Sequence, residues 1–158
     1  FRPLKAQMSI TYMDVFTKEK NENDALQKQV QVHAPRWSGT WALGYEHAKT
    51  GLSTDLTGTW NGPMRLPVVP NDFRKEYSPW FALANLQITK KFGNGVELFG
   101  GMKNIFNFVP NDPILRPFDP FDKQVDVDNP NGYTFDATYN YAPVQGRRAF
   151  LGLRWALQ

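Results

Sequence analysis

Apolar and polar positions alternate with period two in six segments of the chain, most clearly in the last. Between Arg148 and Leu157, the residues Ala149, Leu151, Leu153, Trp155 and Leu157 take one side and Arg148, Phe150, Gly152, Arg154 and Ala156 the other, as successive side chains of a strand must. The same reading predicts strands over about 6–16, 39–47 and 52–61. Their apolar sides are Ala6, Met8, Ile10 and Tyr12; then Trp41, Leu43 and Tyr45; then Leu52, Leu56, Gly58 and Trp60 with Thr54 among them. Two more are predicted over about 80–91 and 96–106, with Trp80, Ala82, Ala84, Leu86 and Ile88, and then Val96, Leu98, Gly100 and Met102, on the apolar sides.

The joins between these segments alternate in length. Ala48-Lys-Thr-Gly51 and Phe92-Gly-Asn-Gly95 are short and glycine-bearing, suited to the positive backbone angles of tight hairpins. The other three, over about 17–38, 62–79 and 107–145, far exceed the ~4–6 residues usual in compact domains. Brief turns at one rim and extended loops at the other are the asymmetry of outer-membrane barrels. One stave of such a barrel is a strand of ~9–11 residues, with an apolar side for lipid and a mixed side for a watery lumen. Trp60, Trp80, Phe92 and Trp155 lie near strand ends, where amphipathic rings suit the headgroup level. The predicted fold class is therefore all-β, with antiparallel transmembrane β-barrel staves, about six of them. If the last strand ends in the periplasm, both short turns are periplasmic and all three long loops face outward.

Composition narrows the function classes. The length of 158 residues suits one domain, and no apolar run approaches the ~18 residues of a helical span. The chain has no cysteine, so disulfides and thiolate metal sites are excluded. Its net charge of +3 is spread without a basic patch, which gives nucleic-acid binding no support. The chain starts at Phe1 without a signal sequence, so it is expected either to have lost a leader or to be a piece of something longer.

Three stretches carry a likeness to a known family. They are Ala34-Pro-Arg-Trp-Ser-Gly39 before a strand, Gly101-Met-Lys-Asn-Ile-Phe-Asn-Phe108 at the end of another, and Gly146-Arg-Arg-Ala-Phe-Leu-Gly-Leu-Arg-Trp155 as the closing strand. In their order and spacing over nearly the whole chain they resemble the C-terminal portion of a TonB-dependent outer-membrane receptor, the siderophore and cobalamin uptake family. The second stretch is similar to the family's strand ending in Asn-Leu-Phe-Asp, with Ile105 in place of leucine and Asn107 in place of aspartate. Gln158 stands where the family closes on an aromatic residue.

The resemblance implies a 22-stranded barrel plugged by an N-terminal domain, in the outer membrane of a Gram-negative bacterium. Residues 1–158 would be the C-terminal part of that barrel, since six strands alone in lipid leave two edges of unpaired backbone groups. The implied partners are outer-membrane lipid, the plug and remaining strands, and the TonB energy-transducing complex, reached through the N-terminal part. The implied activity is active uptake of a scarce ligand such as a ferric siderophore, another iron complex or cobalamin, with no cofactor. Two alternatives stand beside it. One is an importer of oligosaccharide or peptide from the same superfamily, working with a surface lipoprotein. The other is a soluble β-sandwich binding or adhesion domain, its core lined by the same alternation.

Ligand chemistry is expected in the long loops. The 62–79 loop is basic, with Arg65, Arg74 and Lys75 to attract an anionic complex and Phe73, Tyr77 and Trp80 as stacking surfaces. The 107–145 loop is acidic and aromatic and carries six of the 12 prolines; proline limits its ordering entropy and its rings offer contact area, so it could fold as a lid over the lumen. Its candidates are Phe118, Asp119, Phe121, Asp122 and Tyr133. Ordinary loop surface is the competing reading for both loops. Asp126 and Asp128 are weak calcium candidates, because spaced carboxylates suit a hard cation but the glycine and proline positions break the EF-hand pattern. His33, in an outer loop, and His47, at a periplasmic strand end, cannot share a site, and no enzyme activity is expected. Arg148 and Arg154 face the lumen, with Glu97 or Asp55 as charge partners.

Overall fold

The computed structural model describes residues 3–20, 24–93 and 95–156, and among these residues strands are the only regular elements. In chain order they are β1 (Leu4–Tyr12), β2 (Phe16–Lys20), β3 (Leu26–Val30), β4 (Trp37–His47), β5 (Leu52–Asn61), β6 (Phe81–Lys91), β7 (Val96–Lys103) and β8 (Arg148–Trp155). Six of them form one open antiparallel sheet in the order β1-β4-β5-β6-β7-β8, and β2 and β3 pair separately. The predicted all-β class and the six predicted strands are present. Phe1, Asn94, Leu157 and Gln158 lie outside the described residues.

The register keeps the two sides of every strand apart. Met8 stands opposite Trp41, Leu43 opposite Leu56, Leu56 opposite Leu86, Leu86 opposite Met102 and Gly100 opposite Leu151. The six apolar sides thus merge into one continuous face, and a slip of one residue in any strand would turn its apolar set to the other side. Cross-strand ring-on-glycine pairs reinforce the register: Trp41 lies where a Cβ on Gly58 would sit, Trp60 over Gly39, Phe99 over Gly152 and Phe150 over Gly101.

The apolar face is uncovered. Met8 is 65% exposed, Ile10 58%, Leu151 79% and Leu153 68%. The buried cluster lies on the opposite, largely polar face, where Phe81 of β6 packs with Met64, Leu66 and Tyr139 from the loops and with half-buried Leu83, Phe108 and Tyr141. A sandwich reverses this arrangement, putting its core between two apolar faces. At one end of the apolar face Tyr12 meets Trp37 at 4.8 Å and Trp60 stacks on Trp80 at 5.8 Å. At the other end lie Tyr45, Phe92 and Trp155, all exposed. The eight steps from Trp37 to Tyr45 span roughly 26 Å along the strand.

All three long connections leave from the end that carries Tyr12, Asn61 and Lys103, and both short turns lie at the other. Gly51 and Gly95 hold those turns at φ 63° and 79°, where a side chain is strained.

Several boundaries differ from the sequence reading, the first two predicted strands beginning two residues early, at Leu4 and Trp37. The first strand ends at Tyr12, not near 16, and residues 16–20 and 26–30 pair as the β2–β3 ribbon inside what reads as a loop. That ribbon extends the β1–β4 hairpin beyond the sheet through Met13 N–H to Arg36 O (2.9 Å) and Gln31 N–H to Val15 O (3.1 Å). Its Thr-Lys-Glu-Lys and Gln-Lys-Gln tracts bury neither side, so no apolar alternation announced it. The fourth segment begins at Phe81, one residue later than expected, and the fifth stops at Lys103 because Asn104 turns the chain at φ 51°.

Candidate functional site

The Asn-Ile-Phe-Asn stretch sets how the longest connection leaves and returns to the sheet. Asn104 and Asn107 both take positive φ, which asparagine tolerates better than other side-chain-bearing residues. The Asn104 side chain then closes the turn, its Oδ1 accepting from Phe108 N–H (3.0 Å) and its Nδ2 donating to Phe108 O (2.7 Å). Asn107 Oδ1 accepts from the backbone N–H of Arg147 (2.8 Å), and the Arg147 guanidinium donates to Ile105 O (2.8 Å). The start of the connection is thereby tied to its end, one residue before β8.

The three connections interlock. The 62–80 segment folds back on itself through Leu66 N–H to Glu76 O (2.8 Å) and Ser78 N–H to Met64 O (3.0 Å). His33 N–H donates to Arg65 O (2.8 Å), while the Arg65 guanidinium reaches Val30 O (3.2 Å) and Glu76 (3.0 Å). The His33 ring meets Thr138 O at 2.8 Å, joining the first connection to the third.

Arg74 is the hub of this assembly. Its side chain is 1% exposed and lies between Asp72 (2.7 Å) and Asp136 (2.8 Å), themselves 2% and 10% exposed. Its cation also sits 4.2 Å from the centre of the Tyr139 ring. The carboxylates bind backbone as well: Asp72 accepts from the N–H of Val69 and of Arg74, and Asp136 from that of Thr138. Burial alone would raise both carboxyl groups. For Asp72 the hydrogen bonds from Arg74 outweigh it, and for Asp136 those from Thr138 and Arg74, so both lie below the ordinary carboxylate value. Arg74 Nη1 is buried without a hydrogen-bond partner.

Beside this hub is a cavity of about 460 Å³, bounded by Arg74, Lys75, Tyr77, Asn111, Asp112, Tyr139 and Tyr141 among others. Tyr139 and Tyr141 meet edge to face at 6.1 Å, and the Tyr139 hydroxyl donates to Lys75 O (2.8 Å). Burial pushes both phenols up, so they stay neutral. A second cavity of about 530 Å³ lies against the polar face beneath residues 143–146, lined by Thr40, Thr57, Thr59, Asn85, Lys103 and Arg148.

The sequence candidates scatter over these features. Tyr77 and Arg74 border the loop cavity; Phe73 does too, 63% exposed and edge-on to half-buried Tyr133 at 6.2 Å. Tyr133 also donates its hydroxyl to Asn71 O (2.6 Å). Arg65 is engaged in holding loops together, and Trp80 stands apart from the cavity in the Trp60 stack. Phe118 lies 4.8 Å from the Arg116 guanidinium and Phe121 5.7 Å from the Lys123 ammonium, both rings strongly exposed. Asp119 is buried and accepts from the N–H groups of Lys123 and Gln124, while Asp122 accepts from Phe135 N–H. Asp126 and Asp128 are exposed, and among the described residues no three His, Asp or Glu side chains group to hold a metal ion. His33 and His47 lie at opposite ends of the sheet. Arg154 pairs with Glu97 at 2.8 Å, one of the two partners expected for it.

Tyr139, Tyr141, Asn111 and Asp112, which also border this cavity, are not among the residues the sequence singled out. The Tyr-x-Tyr spacing was the available signal, since residues two apart on an extended segment point to the same side. No family model matches the chain, and neither a curated protein nor a solved structure is found similar to it.

Proposed function

We propose that the chain forms wall and rim of an outer-membrane barrel that takes up a scarce ligand in the manner of a TonB-dependent receptor. The observation that carries this reading is the inverted sheet: a continuous apolar face with no cover, flanked by aromatic rings at both ends, behind a polar face on which the loops pack. An apolar face of that extent meets lipid or another protein, and its roughly 26 Å along the strand, about 20 Å of height at the ~40° tilt of barrel strands, approaches the ~25 Å apolar band of such barrels. The concentration of long connections at one end supports the same reading. A sandwich would need a second sheet over the apolar face. Among the described residues the only other sheet is the β2–β3 ribbon, which packs against no strand of the large one.

Under this reading the open edges of β1 and β8 continue into further strands of a 22-stranded barrel, the short turns are periplasmic, and energy arrives through TonB. The test is fractionation followed by uptake. The protein should sediment with outer membranes, leave them only in detergent and show a mass several times 18.1 kDa. Cells lacking it should lose energy-dependent accumulation of one scarce ligand. A folded protein in the detergent-free soluble fraction would overturn the proposal.

A further inference from the structure

We infer that the cavity beneath residues 143–146 is a binding site for a small organic phosphate monoester, held by Lys103 and Arg148. The inference goes beyond the uptake reading and needs only that the polar face of the sheet meets water.

The charges come first. Lys103 of β7 and Arg148 of β8 are direct cross-strand partners, so two cations stand with Cβ atoms ~4.5–5.5 Å apart, an arrangement that costs stability unless an anion lies between them. Neither side chain makes a hydrogen bond or ion pair with another described residue. Among the described residues that line the cavity there is no Asp or Glu. The carboxylates on the strands of the large sheet, Glu46, Asp55 and Glu97, all lie towards the short turns, and Glu97 is taken by Arg154. The neighbouring Arg147 is spent on Ile105 O.

The donors come second. Gln7, Ala42, Thr57 and Asn85 stand in one row across four strands. Because Leu86 pairs with Met102, Lys103 and Arg148 continue that row. Asn85 Oδ1 accepts from Asn104 N–H (3.1 Å), which leaves its Nδ2 as a donor on the cavity wall. The Thr57 and Thr59 side chains are exposed on the same wall. The roof is fixed in place: Gln145 O accepts from Asn104 Nδ2 (3.4 Å), and Asn107 Oδ1 accepts from Arg147 N–H (2.8 Å).

The ligand class follows from these groups. A phosphate monoester carries a charge of about −1.5 to −2 and three strong acceptor oxygens. It matches two cations of which the guanidinium can bind phosphate through two parallel N–H bonds and the ammonium adds a point charge. A neutral ligand would leave the cations opposed, a monocarboxylate would leave one of them uncompensated, and a bare metal ion finds no carboxylate. The volume of about 530 Å³ falls within the ~300–1,000 Å³ of ligand pockets and exceeds a phosphate group alone. The remainder suits a polar organic part, with Gln7, Thr40 and Gln145 on the lining to bond it.

The experiment is calorimetric titration of the whole purified protein at low ionic strength. The probes are glycerol 3-phosphate, glucose 6-phosphate and AMP, and in parallel glycerol, glucose, adenosine and succinate, the last a dianion without a phosphoryl group. At least one ester is expected to bind tenfold or more tighter than its dephosphorylated counterpart and than succinate. Lys103→Gln and Arg148→Gln should each weaken that binding tenfold or more, yet unfold at no lower denaturant concentration than the parent, since each relieves the like-charged pair. Arg154→Gln, at the far end of the same face, should leave binding unchanged. No binding of any ester, succinate binding equally well, or full affinity in both cavity variants would overturn the inference. Membrane location and energised uptake are scored separately, so either reading can fail while the other stands.

Discussion

Replacing Arg74 by methionine removes the cation and keeps most of the side-chain volume. Asp72 and Asp136 would be left buried with no counter-charge, 2% and 10% exposed and 2.7 and 2.8 Å from where the guanidinium had been. Breaking a buried pair by deleting one partner costs about 3–5 kcal/mol, most of it the desolvation of the carboxylates that remain. The cost should fall on the loops and not on the sheet, because the triad ties residue 72 to residue 136 and touches no strand. Amide exchange read by mass spectrometry should then accelerate by about 10²- to 10⁴-fold over residues 69–78 and 115–139, up to the limit set by local opening. Protection in β4, β5 and β6 should persist. Exchanging all three members for uncharged residues of similar size, Arg74→Met with Asp72→Asn and Asp136→Asn, should restore much of the protection. Unchanged exchange in the single variant, or uniform loss across the sheet, would refute the view of Arg74 as a loop hub.

Three further outcomes follow from the same structure. Asn104→Ala loses the side-chain bonds to both backbone groups of Phe108 and places alanine at φ 51°; it should lower stability by about 2–4 kcal/mol in urea unfolding, with Asn104→Gly less damaging. The lowered carboxyl values of Asp72 and Asp136 mean that their stabilisation is full above the ordinary value of 3.8 and is lost as pH falls through the folded-state values. Loop protection should therefore stay level from neutral pH down to about 4 and collapse below it, with the triple variant flat across that range. Leu151→Arg, at the middle of β8 on the apolar face, should reduce insertion stability in lipid by about 2–4 kcal/mol, measured by denaturant unfolding in vesicles.

What the sequence disclosed was whatever has a short period. All six strands of the large sheet followed from alternation alone, and the grouping of the long connections at one end of it from the lengths of the joins, because both are local or countable. The β2–β3 ribbon was invisible for the opposite reason, since a ribbon that buries neither face leaves no hydrophobic signature. Arg74 read as a loop cation available to a ligand, and the structure instead buries it between two carboxylates, one of them 62 residues away. No spacing rule reaches that far. Asp119 likewise read as a ligand group and proves to close a turn, a role set by the backbone N–H groups of Lys123 and Gln124. Of the rings the sequence singled out, Phe73 and Tyr77 border the loop cavity while Phe118 and Phe121 do not, and Tyr139 and Tyr141 border it as well.

The central claim is that the apolar face meets lipid and the other face water, and single cysteines placed along β8, these 158 residues having none of their own and any elsewhere in the protein replaced by serine, make it directly measurable. Single substitutions Phe150→Cys, Leu151→Cys, Gly152→Cys, Leu153→Cys and Arg154→Cys, each spin-labelled in the protein reconstituted in vesicles, report accessibility to oxygen, which concentrates in lipid, and to a water-soluble nickel chelate. The account predicts a period of two, with 151 and 153 favouring oxygen and 150, 152 and 154 favouring nickel. Equal accessibility along β8, or nickel reaching 151 and 153 as readily as 154, would contradict it.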